Sequence, residues 1–183
     1  GYTVRTNGGD IPADWLIVAC GGAAGAKLGG VMDGYELLKP LGHKRTKLFP
    51  SLVQITTEPE YPRALKGVRA DAAVELVCGG EVLAESGGEL QFTETGVSGP
   101  AAFDISRSVS SGGDGLSLRI DFLRGYGSGE VLTMLEARRS ALPGLESAEL
   151  FTGMLHNRLG RMLVKYAGLD ARSPLKALDS GAL

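Results

Sequence analysis

The sequence predicts an α+β chain with three successive parts: a short α/β piece, a small β-barrel-like piece and a small helical piece. Three observations predict this order. A glycine-rich stretch, residues 19–43, follows an apolar run and leads into a short helical pattern. Several short segments with strand-like alternation follow from Pro50, and the hydrophobic period becomes helical beyond Gly129. We therefore expect parts at residues 1–49, 50–125 and 126–183.

The first part begins with alternating residues at Tyr2–Thr6, followed by Asn and Gly residues that tolerate a turn. A second apolar run at 15–19 is interpreted as a buried strand, fed by a hairpin or meander. Residues 33–41 predict a short helix in which Asp33 is a possible N-cap. Gly42 lies just past the predicted end of this helix.

The second part contains five predicted strands, at 52–56, 73–77, 81–86, 89–92 and 116–122. The glycine pair within residues 78–81 predicts a hairpin turn between two of them. Ser98 and Pro100 predict the cap and first turn of a brief helix. Several short strands in one block indicate a small barrel or sandwich.

The third part contains two apolar stripes with helical spacing, at 131–142 and 150–166. Gly153 and Gly160 predict a division of the second stripe into two helices, and Gly168 predicts its end. Its polar side is locally basic, which indicates either a solvated face or a surface for an acidic partner. The basic residues are Arg138, Arg139, His156, Arg158, Arg161 and Lys165.

Composition excludes several classes of function. The 183 residues are 43% hydrophobic, enough to bury a core, and the net charge of −2 disfavours a general nucleic-acid binder. Neither a membrane-spanning run nor a signal peptide is visible, so we expect a cytoplasmic protein without membrane contact. Cys20 and Cys78 are far apart, so we expect reduced thiols and no metal site.

The glycine-rich stretch has two open interpretations. Backbone amides between a strand and a helix can contact phosphate without any charged side chain. However, the GxGxxG fingerprint is absent because no two glycines of the stretch are spaced i, i+2. The P-loop pattern is absent because Lys27 stands between Ala26 and Leu28. The other interpretation is a strand-to-helix connection in which glycine only permits tight packing.

Several motifs resemble a family of bacterial NAD(P)/FAD-dependent oxidoreductases, which includes aminoacetone-oxidase-like and bile-acid-reductase-like members. They are ADWLIVACGG at 13–22, DGY at 33–35, GH at 42–43, PSLV at 50–53, and GEL, FT and GVSGP between residues 88 and 100. The resemblance covers about residues 13–106. It implies a two-part FAD-binding domain interrupted by an inserted β-barrel-like and helical domain, so residues 1–49 would be a strip of an α/β FAD-binding domain.

The resemblance also implies site residues. Ala19, Cys20, Gly21 and Gly22 would lie beside the FAD, with Cys20 in the second place of a pattern that resembles Ala-Thr-Gly-Gly. The family's Ser-Tyr-Pro a few residues later is replaced here by residues 24–26, Ala-Gly-Ala. The family's first GxGxxG element and its closing flavin segment are both missing, so we expect a fragment that retains little or no FAD alone.

The segment FTETGVSGP offers three hydroxyl side chains, Thr93, Thr95 and Ser98, as substrate-side candidates. The alternative is a turn with Ser98 as a helix cap. His43 and His156 could serve as acids or bases, but a capping or surface role is favoured because no catalytic grouping surrounds them. The sequence names no catalytic residue.

These observations predict the inserted, substrate-side domain of an FAD-dependent oxidoreductase that transfers a hydride to or from a small molecule, with NAD(P)H as a possible partner. The alternative hypothesis is a macromolecule-binding module that uses the basic helical face and has no redox activity. Whether this chain alone is an enzyme stays open. The beginning of a helix is also predicted at residues 179–183.

Overall fold

A computed structural model describes residues 1–179, and the helix start predicted near the C-terminus lies almost entirely outside them. The backbone divides into two compact units, Gly1–Leu48 and Phe49–Leu183, called here the N-terminal and C-terminal units.

The helices and strands of each unit are numbered in chain order. The N-terminal unit contains β1 (Tyr2–Thr6), β2 (Gly9–Ala13) and α1 (Asp33–Leu38). The C-terminal unit contains β3 (Ile55–Thr56), α2 (Glu60–Ala64), β4 (Arg69–Cys78), β5 (Glu81–Phe92), β6 (Gly96–Ser98), α3 (Pro100–Ser111), β7 (Leu116–Asp121), α4 (Ser128–Ala141) and α5 (Asn157–Tyr166).

The N-terminal unit confirms the first hairpin. Strands β1 and β2 pair antiparallel, with Thr6 opposite Gly9 across a tight turn. The strand predicted at 15–19 is wrong: this segment is irregular, and Trp15 and Ile17 are 89% and 88% exposed. A strand needs a neighbour for its backbone hydrogen bonds, and within the described residues the hairpin pairs only with itself.

The short helix near residue 33 is confirmed with a different cap. Met32 is the N-cap of α1 and contributes no side-chain hydrogen bond, whereas Asp33 is the first helical residue. Its carboxylate still lies at the positive end of the helix dipole, which explains an acidic residue there. A turn of 3-10 helix, Lys39–Leu41, follows and ends at Gly42 with φ 88°, as the sequence predicts.

The C-terminal unit is an α+β structure around a curled, antiparallel half-barrel with strand order β3-β6-β5-β4-β7, which confirms the predicted fold class. Alternation on β4 buries Ala72, Val74 and Leu76 on the face that packs against the core. The largest cluster of buried residues joins this sheet to α3 and to Leu159 of α5. A second cluster holds the helical part together, and its buried members are Leu135, Leu150, Val164, Leu175 and Leu178.

Two predicted strands prove to be one. Residues 81–86 and 89–92 belong to the continuous strand β5, which passes through Gly87 and Gly88. The sequence interpretation treated these glycines as a break, but glycine inside a strand also marks a close approach. A Cβ on Gly87 would lie 2.5 Å from Nη1 of Arg124, so the glycine leaves space for that guanidinium.

Three other boundaries differ from prediction. The strand predicted at 52–56 shrinks to β3, because Leu52 has φ 56°, outside the extended region. The hydroxyl of Ser98 is not the cap of α3: Gly99 is the N-cap, Pro100 lies in the first turn as predicted, and Ser98 belongs to β6. In the helical part the chain breaks near Gly153, while Gly160 lies inside α5.

Gly160 has a packing role instead of a breaking role. A Cβ at this position would lie 2.8 Å from the Cβ of Phe151, so the glycine permits α5 to approach the preceding turn. The hairpin turn at 78–81, the helix α4 before Pro143 and the strand β7 match their predictions.

Candidate functional site

The glycine-rich loop between residues 19 and 35 is an ordered, closed loop. Gly25 and Gly29 both adopt the left-handed conformation on either side of a 3-10 turn, Ala26–Leu28. The amide of Gly30 donates to the carbonyl of Gly25 at 3.3 Å, and the amide of Val31 donates to the carbonyl of Gly22 at 3.0 Å. The loop therefore returns upon itself before α1 begins.

Neighbouring atoms lie close to three glycines of the loop, and at Gly30 they are backbone atoms. A Cβ on Gly22 would lie 2.9 Å from the hydroxyl of Tyr35, and a Cβ on Gly34 would lie 2.5 Å from Sγ of Cys20. A Cβ on Gly30 would collide with the carbonyl oxygen of Ala24. Thus Tyr35 and Cys20 each pack on a glycine, which holds the loop in one shape. Packing therefore accounts for glycine at these three positions, but not at Gly21.

The opposite side of the same loop is open. Gly21 has φ 76°, and nothing lies within 4 Å of the position that its Cβ would occupy. Residues 19–21 are exposed, and residues 19–22 contain no charged side chain. A ligand can therefore approach the backbone here directly, as a flat ring or a phosphate would need. The residues present fit such a group, although the helix that follows has only six residues.

One cation lies near this loop and was not singled out from the sequence. The guanidinium carbon of Arg45 lies 5.6 Å from the ring centroid of Tyr35, a cation–π geometry. Tyr35 thus lies between Arg45 and Gly22. The DGY motif could have pointed to Tyr35, but nothing in the sequence pattern indicates that Arg45, ten residues later, reaches its ring.

The second predicted site segment is an internally bonded turn. The hydroxyl of Thr93 donates to the carbonyl of Gly96 at 3.1 Å, and its oxygen accepts from the amide of Thr95 at 3.4 Å. The hydroxyl of Thr95 accepts from Nε2 of Gln54 at 2.9 Å. These contacts favour the turn interpretation for Thr93 and Thr95. Ser98 lies in β6 opposite Gln91 and is half-buried.

The basic residues of the helical part have acceptors inside the C-terminal unit. Arg161 pairs with Glu149, and Nζ of Lys165 lies 3.4 Å from Oε1 of Glu60. The guanidinium of Arg158 donates to the carbonyls of Ala64 and Lys66 at 2.5 and 3.2 Å. The remaining two arginines, Arg138 and Arg139, donate to the carbonyls of Glu149 and Leu178. Arg161 and Lys165 stay exposed, but their carboxylate partners offset positive charge on this face, so the alternative hypothesis is not favoured.

His156 has the capping role that the sequence analysis favours. It is the N-cap of α5, and its Nδ1 accepts a hydrogen bond from the amide of Arg158 at 3.2 Å. This arrangement needs a neutral imidazole with its proton on Nε2. Within residues 1–179, no three His, Cys, Asp or Glu side chains cluster as metal ligands would. None of the helices in the same range has the length and apolarity needed to cross a bilayer.

A large apolar cavity opens in the C-terminal unit, and Phe92 and Val97 of the FTETGVSGP segment are among the residues that line it. Its volume is about 1190 Å³. It is lined from both edge strands of the half-barrel, from α2 and from α5, including Ile55, Leu118, Phe122, Met162 and Tyr166. Sequence periodicity does not indicate this cavity, because periodicity does not specify which strands form the edges of the sheet.

Comparisons with known proteins agree with the resemblance in the motifs. Residues 49–182 match the family described as "HI0933-like protein barrel and H2TH domain". A similar protein is the 3-dehydro-bile acid delta(4,6)-reductase of Clostridium scindens, which is 33% identical over 181 residues. That alignment covers 97% of this chain and 44% of the relative, so the chain spans less than half the relative's length.

Proposed function

The chain belongs to the HI0933-like family of flavin oxidoreductases, and from this premise we propose that it is the inserted, substrate-side domain with an adjoining strip of the FAD-binding domain. In the intact protein the C-terminal unit would lie on the substrate side and the loop at residues 19–22 would contact the cofactor. The reaction would be hydride transfer between the flavin and a small organic molecule.

One observation carries the cofactor proposal: the loop at residues 19–35 is packed on one side and open on the other. Tyr35 and Cys20 pack beside Gly22 and Gly34, and backbone hydrogen bonds from Gly30 and Val31 close the loop. Gly21 presents bare backbone on the open side. A preformed backbone surface of this kind binds a ligand without ordering cost, which increases affinity.

Six residues in and beside the loop have proposed roles in binding the cofactor. Ala19, Cys20, Gly21 and Gly22 would place their backbone groups beside the FAD, and small side chains at these positions let the cofactor come close. Tyr35 and Arg45 would support this surface from behind, because Arg45 lies over the ring whose hydroxyl touches Gly22. When bound, the flavin would supply the hydride chemistry, so the chain needs no nucleophile of its own.

The name of the relative suggests a direction for the reaction. A delta(4,6)-reductase, as its name states, reduces a 3-dehydro-bile acid. We propose by analogy that the intact protein reduces an unsaturated small molecule, with NAD(P)H as the electron donor, in the cytoplasm. Among the substrate-side candidates we favour Ser98. The hydroxyls of Thr93 and Thr95 are already hydrogen-bonded to Gly96 and Gln54.

The test is the visible absorption spectrum of the intact protein beside that of this chain, each purified and then supplied with FAD. We expect the intact protein to hold flavin and to bleach when NAD(P)H is added without oxygen. We expect this chain to retain little or none after gel filtration. An intact protein that holds no flavin even with added FAD would overturn the proposal.

A further inference from the structure

The half-barrel of the C-terminal unit has two open edges. In the strand order β3-β6-β5-β4-β7, both β3 and β7 have a neighbour on one side only. Strand β3 contains two residues, whereas β7 contains six. An edge strand of that length presents a row of unpaired backbone donors and acceptors, and natural proteins usually cover such an edge.

The large cavity runs along the open edge of β7. Five consecutive residues of this strand line it: Leu116, Ser117, Leu118, Arg119 and Ile120. Successive side chains of a strand point to opposite faces of the sheet. Residues of both faces therefore line the cavity, and it extends along most of the length of β7. Ile55 and Thr56 of β3 line the same cavity, so it joins the two open edges.

The burial of the apolar side chains decreases toward this edge. On β5 and β4, Leu90 and Val74 are 0% exposed, and Leu76 is 1% exposed. On β7, the residues of the same apolar row, Leu118 and Ile120, are only half-buried. The pairing of Leu76 with Leu118 shows that these residues continue one row across the sheet. The apolar row is therefore only partly shielded from solvent at its β7 end.

We infer that the cleft between β3 and β7 accepts an extended β-strand from elsewhere in the intact polypeptide, which completes the barrel. This inference does not depend on flavin binding. The strand would hydrogen-bond along β7 and place alternate apolar side chains over Leu118 and Ile120, toward Met162 of α5. The relative supplies the length, because more than half of it lies outside its alignment with this chain.

The geometry favours a strand over the other occupants. A small molecule would fill apolar volume but leave the backbone of β7 unpaired. The cavity, at about 1190 Å³, also exceeds the roughly 300–1,000 Å³ of ordinary ligand pockets. A second copy of the chain meeting at β7 would pair one edge with its counterpart and leave the β3 edge of each copy open. Closing the sheet on itself removes both edges at once.

Hydrogen exchange read by mass spectrometry tests the inference on the intact protein and on this chain. In the chain alone we expect about half of the amides in β7 to exchange fast, since only one edge is paired. In the intact protein we expect these amides to slow at least tenfold, while β4 is slow in both. Equally fast exchange of β7 in the two proteins would overturn the inference, whatever the flavin content.

Photo-cross-linking identifies the occupant. Photo-leucine replaces leucines throughout the intact protein with nearly unchanged shape, and mass spectrometry selects the cross-links that start from Leu116 and Leu118. We expect ultraviolet light to link these positions to one continuous segment outside the matched residues, at alternate positions of that segment. Links between two copies, protection of β7 that rises with protein concentration, or protection that needs an added small molecule would each contradict the inference.

Discussion

The two units of this chain treat their apolar side chains in opposite ways. Among the described residues up to Leu48, Gly34 alone is buried, and Leu28 is 94% exposed. The C-terminal unit buries a connected cluster that includes Leu90 and Ile105. The N-terminal unit is therefore held in shape mainly by backbone hydrogen bonds and glycine contacts, whereas the C-terminal unit has a conventional core. The buried core thus lies in the C-terminal unit, whereas the proposed cofactor surface lies in the N-terminal unit.

Truncation of core leucines is the strongest way to break this comparison. Leu90→Ala removes a side chain that is 0% exposed, so we expect a loss of about 2–5 kcal/mol in the free energy of unfolding. Leu28→Ala removes a 94% exposed side chain and should change it by less than about 0.5 kcal/mol. Urea unfolding followed by circular dichroism measures both. Similar losses in the two variants would refute the contrast.

A methyl group at Gly96 tests how closely β3 and β6 approach. A Cβ there would collide with the carbonyl of Ile55 and lie 2.9 Å from Cα of Thr56. We expect Gly96→Ala to cost about 1–3 kcal/mol, as overpacking does. Gly125→Ala is the matched control, because nothing lies within 4 Å of its Cβ position and its φ is ordinary. Equal stability of the two variants would show that β3 is free to move away.

Substitution of the N-cap residue of α5 tests how much its hydrogen bond stabilises the helical part. His156→Ala removes the Nδ1 acceptor of the Arg158 amide and should cost about 1 kcal/mol. His156→Asn supplies another acceptor and should recover most of the loss. Thermal unfolding compares the three proteins. If Asn and Ala behave alike, the hydrogen bond of His156 contributes nothing to the stability of the helix.

Acid sensitivity gives the smallest expected effect. The Thr152 hydroxyl, followed by Arg161, lowers the pKa of Glu149 below its usual value of 4.5. A lowered pKa in the folded state contributes stability above the unfolded value, and this contribution is lost as pH falls through the folded value. Below about pH 4.5 the chain should therefore lose stability, and Glu149→Gln should lose less on acidification. The measurement is urea unfolding at pH 7 and at pH 3.5.

Local pattern predicted the elements whose own residues determine them. Strand β7 and helix α4 follow from alternation and helical spacing, and the Gly79-Gly80 turn follows from residues that tolerate positive φ. Some errors are local, as at Leu52 and at the helix caps, and others fall where a distant contact decides. The local pattern predicts that the strand ends before Gly87, whereas the structure shows that the guanidinium of Arg124 packs against this glycine inside β5.

The candidate site was predictable to a similar degree. The sequence indicated the glycines of the loop and the FTETGVSGP turn, but it left their roles open. Tyr35 beneath Gly22 and Arg45 over Tyr35 depend on the loop's return path, which no spacing rule specifies. The strand predicted at 15–19 failed because apolar periodicity describes a segment's preferred environment and does not supply the neighbours that would provide it.

Flavin retention by a pair of glycine variants of the intact protein tests the central claim most directly. Gly21 and Gly29 both have positive φ and open space at the Cβ position, so alanine strains both alike, but only Gly21 lies in the proposed cofactor surface. We predict that Gly21→Ala weakens FAD binding at least tenfold, about 1.4 kcal/mol, while Gly29→Ala stays within about twofold of the original. Equal FAD affinity in the two variants would contradict the assignment of residues 19–22 to the flavin.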